Sequence, residues 1–200
     1  MPNNLSRRWF LSSVAALTAA TATQPAFALT TEESKSLIDR LVTEINRVIN
    51  SGRSENQMYG DFERIFNEYA DVPTIARSTL GPDARSATAA QMRTYTKAFA
   101  GYLSRKYGKR FREFIGGKIE VNQARKLKSF YEVRTTAVLQ GEAPFDLTFL
   151  VSDRSGKDLF FDMLIEGISL LKSEKTEIGA MLDRRRGDLD LMIEDLKKAG

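Results

Sequence analysis

The spacing of apolar residues changes twice along this chain, and each change restricts the fold. From Leu37 to about Ile115 the large apolar side chains recur at helical intervals. From Ile119 to Ile165 they alternate, and from about Ser173 the helical interval returns. A period of 3.6 buries one stripe of a helix, whereas a period of two buries one face of a strand. Helices, then strands, then helices cannot interleave as parallel βαβ units. The segregation predicts an α+β fold with N-terminal and C-terminal helices packed on a twisted antiparallel β-sheet.

The helical part divides at recognisable caps. Thr30 and Glu33 have capping-box spacing ahead of the stripe Leu37, Ile38, Leu41, Val42, Ile45, Val48 and Ile49, and Ser51-Gly52 closes that helix. A second stripe, Met58, Phe62, Ile65, Phe66 and Tyr69, ends before Asp71-Val72-Pro73. Pro73 suits the first turn of a short third helix that stops at Leu80-Gly81-Pro82. Thr88 and Gln91 repeat the capping spacing before the longest helix, whose face carries Met92, Tyr95, Phe99, Tyr102, Leu103 and Tyr107. Gly108 kinks or ends it, and Gly116-Gly117 breaks the apolar run. Strands are expected at 119–121, 131–139, 145–151 and 159–165, joined by short links at 141–144 and 153–156. On the last strand Leu159, Phe161, Met163 and Ile165 are expected inward, opposite Asp158 and Asp162. The final helical stretch, 173–198, breaks near Gly187.

Residues 1–28 are of a different kind. Arg7 and Arg8 are their only charges, a stretch of small and apolar residues runs from Val14 to Thr23, and Ala26-Phe27-Ala28 offers a signal-peptidase site. The apolar stretch is too short to span a bilayer. Ser6-Arg7-Arg8-Trp9-Phe10-Leu11 closely resembles a twin-arginine export signal, with an ordinary secretory signal as the alternative. Either one places the mature chain, a single domain over 29–200, in the periplasm after cleavage near Ala28. Loss of the leader lowers the formal net charge from +4 to +2 and removes Trp9, the only tryptophan.

Composition excludes much chemistry. With no cysteine and no histidine the chain has no disulfide, thiolate, imidazole base or ordinary transition-metal site. No phosphate loop or nucleophile elbow is present. Asp158, Asp162 and Glu166 offer a conceivable carboxylate pair, although acidic residues on the polar face of a strand are usually solvated. The cations Arg105, Lys106, Lys109, Arg110, Arg112, Arg125, Lys126 and Lys128 read equally as a surface that meets anionic head groups or an acidic partner protein, or as a solvated helix end. Export argues against a nucleic-acid partner. The large apolar side chains fit either a closed core or a sheet–helix space that admits an apolar ligand.

Several segments, in order, resemble the MlaC-like proteins, also called the toluene-tolerance family of ABC transporter auxiliary components. They are Asp71-Val72-Pro73, Ala76-Arg77, Leu80-Gly81, the stretch 88–107, and Asp162-Met163-Leu164-Ile165-Glu166-Gly167-Ile168-Ser169-Leu170, followed by the last helix at 187–196. The chain carries Leu159-Phe160-Phe161 where the family usually has a tryptophan.

The resemblance implies a soluble periplasmic carrier that holds phospholipid tails in an apolar cavity between sheet and helices. It implies exchange with an inner-membrane ABC transporter through its substrate-binding hexamer and with an outer-membrane lipoprotein–porin complex, in a system that maintains outer-membrane lipid asymmetry. It implies a monomer without catalytic residues, cofactor or metal. Motif position and inward phase together assign lipid contact to Val72, Ile75, Phe99, Tyr102, Leu103, Val133, Leu147, Phe149, Phe161, Met163 and Ile168. The competing readings are a carboxylate-dependent periplasmic enzyme, a carrier of another lipid such as a hopanoid, and a ligand-free adaptor.

Overall fold

The computed structural model describes residues 29–200, without the side chains of residues 110–112. The export signal read in residues 1–28 lies outside the described residues. Four helices come first: α1 (Thr31–Ile49), α2 (Glu55–Tyr69), α3 (Val72–Leu80) and α4 (Ala89–Phe111). Strands β1 (Lys118–Leu127), β2 (Phe130–Val138), β3 (Phe145–Ser152), β4 (Leu159–Ile165) and β5 (Ile168–Ser169) follow, and α5 (Leu170–Arg184) and α6 (Leu189–Leu196) close the chain. The strands form one antiparallel meander in the order β1-β2-β3-β4-β5.

Side-chain caps set the helix starts. Thr30 Oγ1 accepts from the Glu33 amide at 3.1 Å while the Thr30 amide donates to Glu33 Oε2 at 2.9 Å. Thr88 and Gln91 make the same reciprocal pair at 3.2 and 3.0 Å. Asp71 accepts from the Thr74 amide at 3.2 Å, and Pro73 occupies the first turn of α3. Each cap satisfies amides that the helix leaves unpaired.

Alternation builds the inner face of the sheet. Tyr131, Val133, Thr135 and Ala137 of β2 and Leu147, Phe149 and Val151 of β3 are all buried. Helix α1 lies across β1, β2 and β3, while α3 and α5 touch β4. Helix α2 packs on α1 and α4, and α6 on α4 and α5. The Asp71 amide donates to the Phe160 carbonyl at 2.8 Å, so the junction of α2 and α3 covers part of the outer edge of β4. Among the described residues no helix is long and apolar enough to cross a membrane.

Three elements differ from expectation. Strand β1 runs to Leu127 rather than ending at Val121, because its second half is paired by backbone bonds to β2 while leaving both faces largely in water. Such a strand carries no alternating signal. Helix α5 begins at Leu170 because Ser169 accepts from the Lys172 amide at 3.1 Å.

The third difference is in β4. Leu150 faces Asp162 and Val151 faces Phe160, which leaves Phe161 unopposed as a β-bulge. Phe160, not Phe161, therefore turns to the core, where its ring meets Phe149 edge-on at 5.5 Å and Phe66 at 6.1 Å. Asp162 is buried instead of solvated.

Candidate functional site

The helices leave part of the inner sheet face uncovered. Between α1, α2, α4 and α5 and strands β3 and β4 lies a cavity of about 250 Å³. Leu41 and Ile45 of α1, Phe62, Ile65 and Phe66 of α2, and Ile75 of α3 line it. Leu103 and Tyr107 of α4, Leu147 and Phe149 of β3, Met163 and Ile165 of β4, and Leu171 of α5 complete the apolar lining. Near the start of β1 the wall ends at Phe114 and Phe145, whose rings meet edge-on at 5.9 Å beside the exposed Glu113 and Glu142. A lining this apolar favours hydrocarbon by about 0.8 kcal/mol per buried methylene.

Six of the residues expected to touch a ligand line this space: Ile75, Leu103, Leu147, Phe149, Phe161 and Met163. Five do not. Phe99, Tyr102 and Val133 lie in the closed core, with Phe99 stacked between the rings of Tyr95 and Tyr102 at 5.7 and 6.3 Å. Val72 lines a separate open groove, and Ile168 is 66% exposed at the start of β5. The wall residues of α1 and α2 stood in the helical stripes from the start. Their spacing places them inward but cannot tell a cavity wall from a filled core.

The carboxylates do not form an acid pair. Asp162 accepts from the Met163 amide at 2.8 Å, the Ser169 hydroxyl at 2.6 Å and the Leu171 amide at 3.0 Å. It is occupied in tying β4 to α5. Asp158 is exposed at the hairpin end, where partial burial and the charges of Glu33 and Asp153 raise its pKa.

The basic cluster is largely consumed within the chain. Arg105 donates to the Ala199 and Leu196 carbonyls at 2.9 Å each, and Lys109 to the Gly200 carbonyl at 2.8 Å. Arg125 pairs with Glu132 at 2.8 Å, and Lys126 stands over the Tyr131 ring at 5.6 Å. The side chains of Arg110 and Arg112 lie outside the description. Arg77, Arg93, Lys97 and Lys157 instead line the open groove between α3, α4 and the β3–β4 turn, and none of them has an ion-pair partner among the described residues.

One end of the cavity is polar. The side chain of Glu174, on α5, is 3% exposed and belongs to the wall. Its Oε1 accepts from Lys106 Nζ at 2.7 Å and from the Tyr107 hydroxyl, while its Oε2 has no partner among the described residues. Lys106 also donates to Glu177 and, at 2.9 Å, to the Tyr102 hydroxyl. Burial alone would lower the Lys106 pKa, yet the hydrogen bonds to Glu174 and Glu177 hold it above its ordinary value. Burial, and then the charge of Glu174, push the Tyr102 phenol up. Among the described residues no group of three or more His, Cys, Asp or Glu side chains is placed to hold a metal ion.

A family model described as MlaC protein matches residues 36–198. Among solved structures, a phospholipid-binding protein from Ralstonia solanacearum, in complex with a phospholipid, superposes with a TM-score of 0.69. It is 18% identical, and the match covers 82% of this chain and 98% of that one. At that identity the likeness establishes the fold.

Proposed function

Because the chain belongs to the MlaC family, we propose that it is a periplasmic phospholipid carrier whose acyl chains occupy the cavity between sheet and helices. It is a carrier and not an enzyme. The observation that carries the reading is the largely hydrocarbon wall drawn from helices and strands around one space. Burying ten methylenes there is worth about 8 kcal/mol before the costs of binding. The open volume is at or below the lower end for ligand pockets, about 300 Å³, so two acyl chains are expected to widen it.

Native mass spectrometry of the protein purified from periplasm tests this directly. The expected species carries a lipid with two acyl chains. A protein that is empty and also takes up no lipid from vesicles would sink the reading. Met163 is half-buried in the wall, so Met163→Trp should fill the space and lower lipid uptake at least about tenfold while the protein stays folded by circular dichroism.

The carrier works within an Mla-type transport system. We propose further that it exchanges lipid with an inner-membrane ABC transporter through the substrate-binding hexamer, and with an outer-membrane lipoprotein–porin complex, so maintaining outer-membrane asymmetry. The groove cations Arg77, Arg93, Lys97 and Lys157, without ion-pair partners among the described residues, support docking onto an acidic protein surface. Reversing Arg93 and Lys97 to glutamate should slow association with the transporter at low salt and leave lipid uptake unchanged. An unaltered association rate would exclude the groove.

A further inference from the structure

Among the described residues, Glu174 Oε2 is the only buried side-chain polar atom without a hydrogen-bond partner. Buried acceptors left unpaired are rare in folded proteins and call for an explanation. Glu174 is one of the residues lining the cavity, and Lys106 and Tyr107 both donate to its other oxygen. Lys106 is shared between Glu174 and Glu177, so the three groups together carry one excess negative charge. The position therefore suits a ligand group that donates a hydrogen bond and is also cationic.

We propose that Glu174 Oε2 receives the primary ammonium of a phospholipid head group, and that the carrier consequently selects ethanolamine-type over choline-type lipids. The inference rests on the carrier reading and names the ligand class for the same cavity. Both head groups are zwitterionic, but a trimethylated ammonium has no N–H to donate. A hydroxyl head group can donate, yet it leaves the lipid phosphate uncompensated beside the excess negative charge. The position also suits a head group in depth. The side chains of Lys106 and Glu177, 28% and 47% exposed, adjoin Glu174 at the surface between α4 and α5. The head would thus stay near solvent while the tails lie along Leu103, Phe149 and Met163.

The test is competitive uptake from vesicles of palmitoyl-oleoyl phosphatidylethanolamine and phosphatidylcholine in equal amounts, with bound lipid counted by mass spectrometry. The protein is first stripped of lipid. The expected ratio is about tenfold in favour of ethanolamine, the scale of one charge-assisted hydrogen bond. Glu174→Gln keeps the acceptor that Lys106 and Tyr107 use and turns the free oxygen into a donor. Its ratio should fall to near unity while the protein stays folded by circular dichroism. Equal uptake by the unaltered protein would overturn the proposal without recourse to any variant. So would a preference that survives in Glu174→Gln, or stronger uptake of phosphatidylglycerol when it is added as a third component. Failure to take up any of these lipids would instead remove the carrier reading.

Discussion

Asp162 holds the Ser169 hydroxyl and the Leu171 amide at 2.6 and 3.0 Å, and so fastens the end of β4 to the first turn of α5. Asp162→Asn replaces one of its acceptor oxygens with a donor and should cost about 1–3 kcal/mol in urea unfolding. Leu29 is a second such anchor. It is 4% exposed, its amide donates to Asp153 Oδ2 at 3.1 Å, and its carbonyl accepts from the Tyr131 hydroxyl. If export cleaves the chain after Ala28, as we propose, the new α-ammonium arises beside the Asp153 carboxylate. Asp153→Asn should then destabilise the mature protein by about 1–3 kcal/mol. An equal loss in a protein that keeps the leader would argue against that ion pair. Neither role was legible from residue type, since an aspartate on a strand and one in a turn look alike in sequence. Asp153 is defined by a partner far along the chain, and Asp162 by the turn that brings Ser169 and Leu171 back onto it.

At the scale of elements, the bulge at Phe161 decides which aromatic ring supports the core. Phe160 is 7% exposed and packs on Phe149 and Phe66, whereas Phe161 is half-buried with its ring against Phe130 at 5.6 Å. Phe160→Ala should cost about 3–5 kcal/mol in urea unfolding and Phe161→Ala distinctly less, the reverse of what strict alternation predicts. Gly117, between α4 and β1, is a close approach rather than a simple break. A Cβ there would stand 2.6 Å from the Val138 carbonyl. Gly117→Ala is therefore expected to disturb the β1–β2 pairing. The starts of the first four helices, by contrast, could be read closely, because their caps and stripes are local, although α4 runs on through Gly108 to Phe111. The second half of strand β1 could not, since an edge segment largely solvated on both faces needs only a backbone partner.

Across the whole molecule, the absence of histidine leaves no side chain with an ordinary pKa near neutrality, so the pH dependence lies at the extremes. Arg64 and Tyr69 hydrogen-bonded to Glu44, and Arg125 to Glu132, hold those carboxyls below their usual range. Their contribution is complete above the unfolded glutamate pKa, about 4.3, and is lost as pH falls through the depressed folded values. Tyr69 behaves oppositely. Burial and its hydrogen bond to Glu44 push its pKa up to about 12, so its contribution holds below about 10 and disappears as pH rises toward 12. Thermal melts from pH 3 to 12 should show a plateau with two falling limbs, and Tyr69→Phe should flatten the alkaline one.

Local spacing was sufficient to indicate most of the helices, the antiparallel order of the strands and the inward faces of β2 and β3, because periodicity records which side of an element leaves water. It also carried the ordered segments that resemble the MlaC-like proteins. Whether the inward faces meet was a different matter. Phe99 and Phe149 sit at equally apolar positions, yet one fills the core and the other lines the cavity. Glu174 sits in the charged run 172–175, and its burial against Lys106 and Tyr107 depends on α4, more than sixty residues earlier in the chain. The distance between faces depends on how every element packs at once, and no single segment of the chain encodes it.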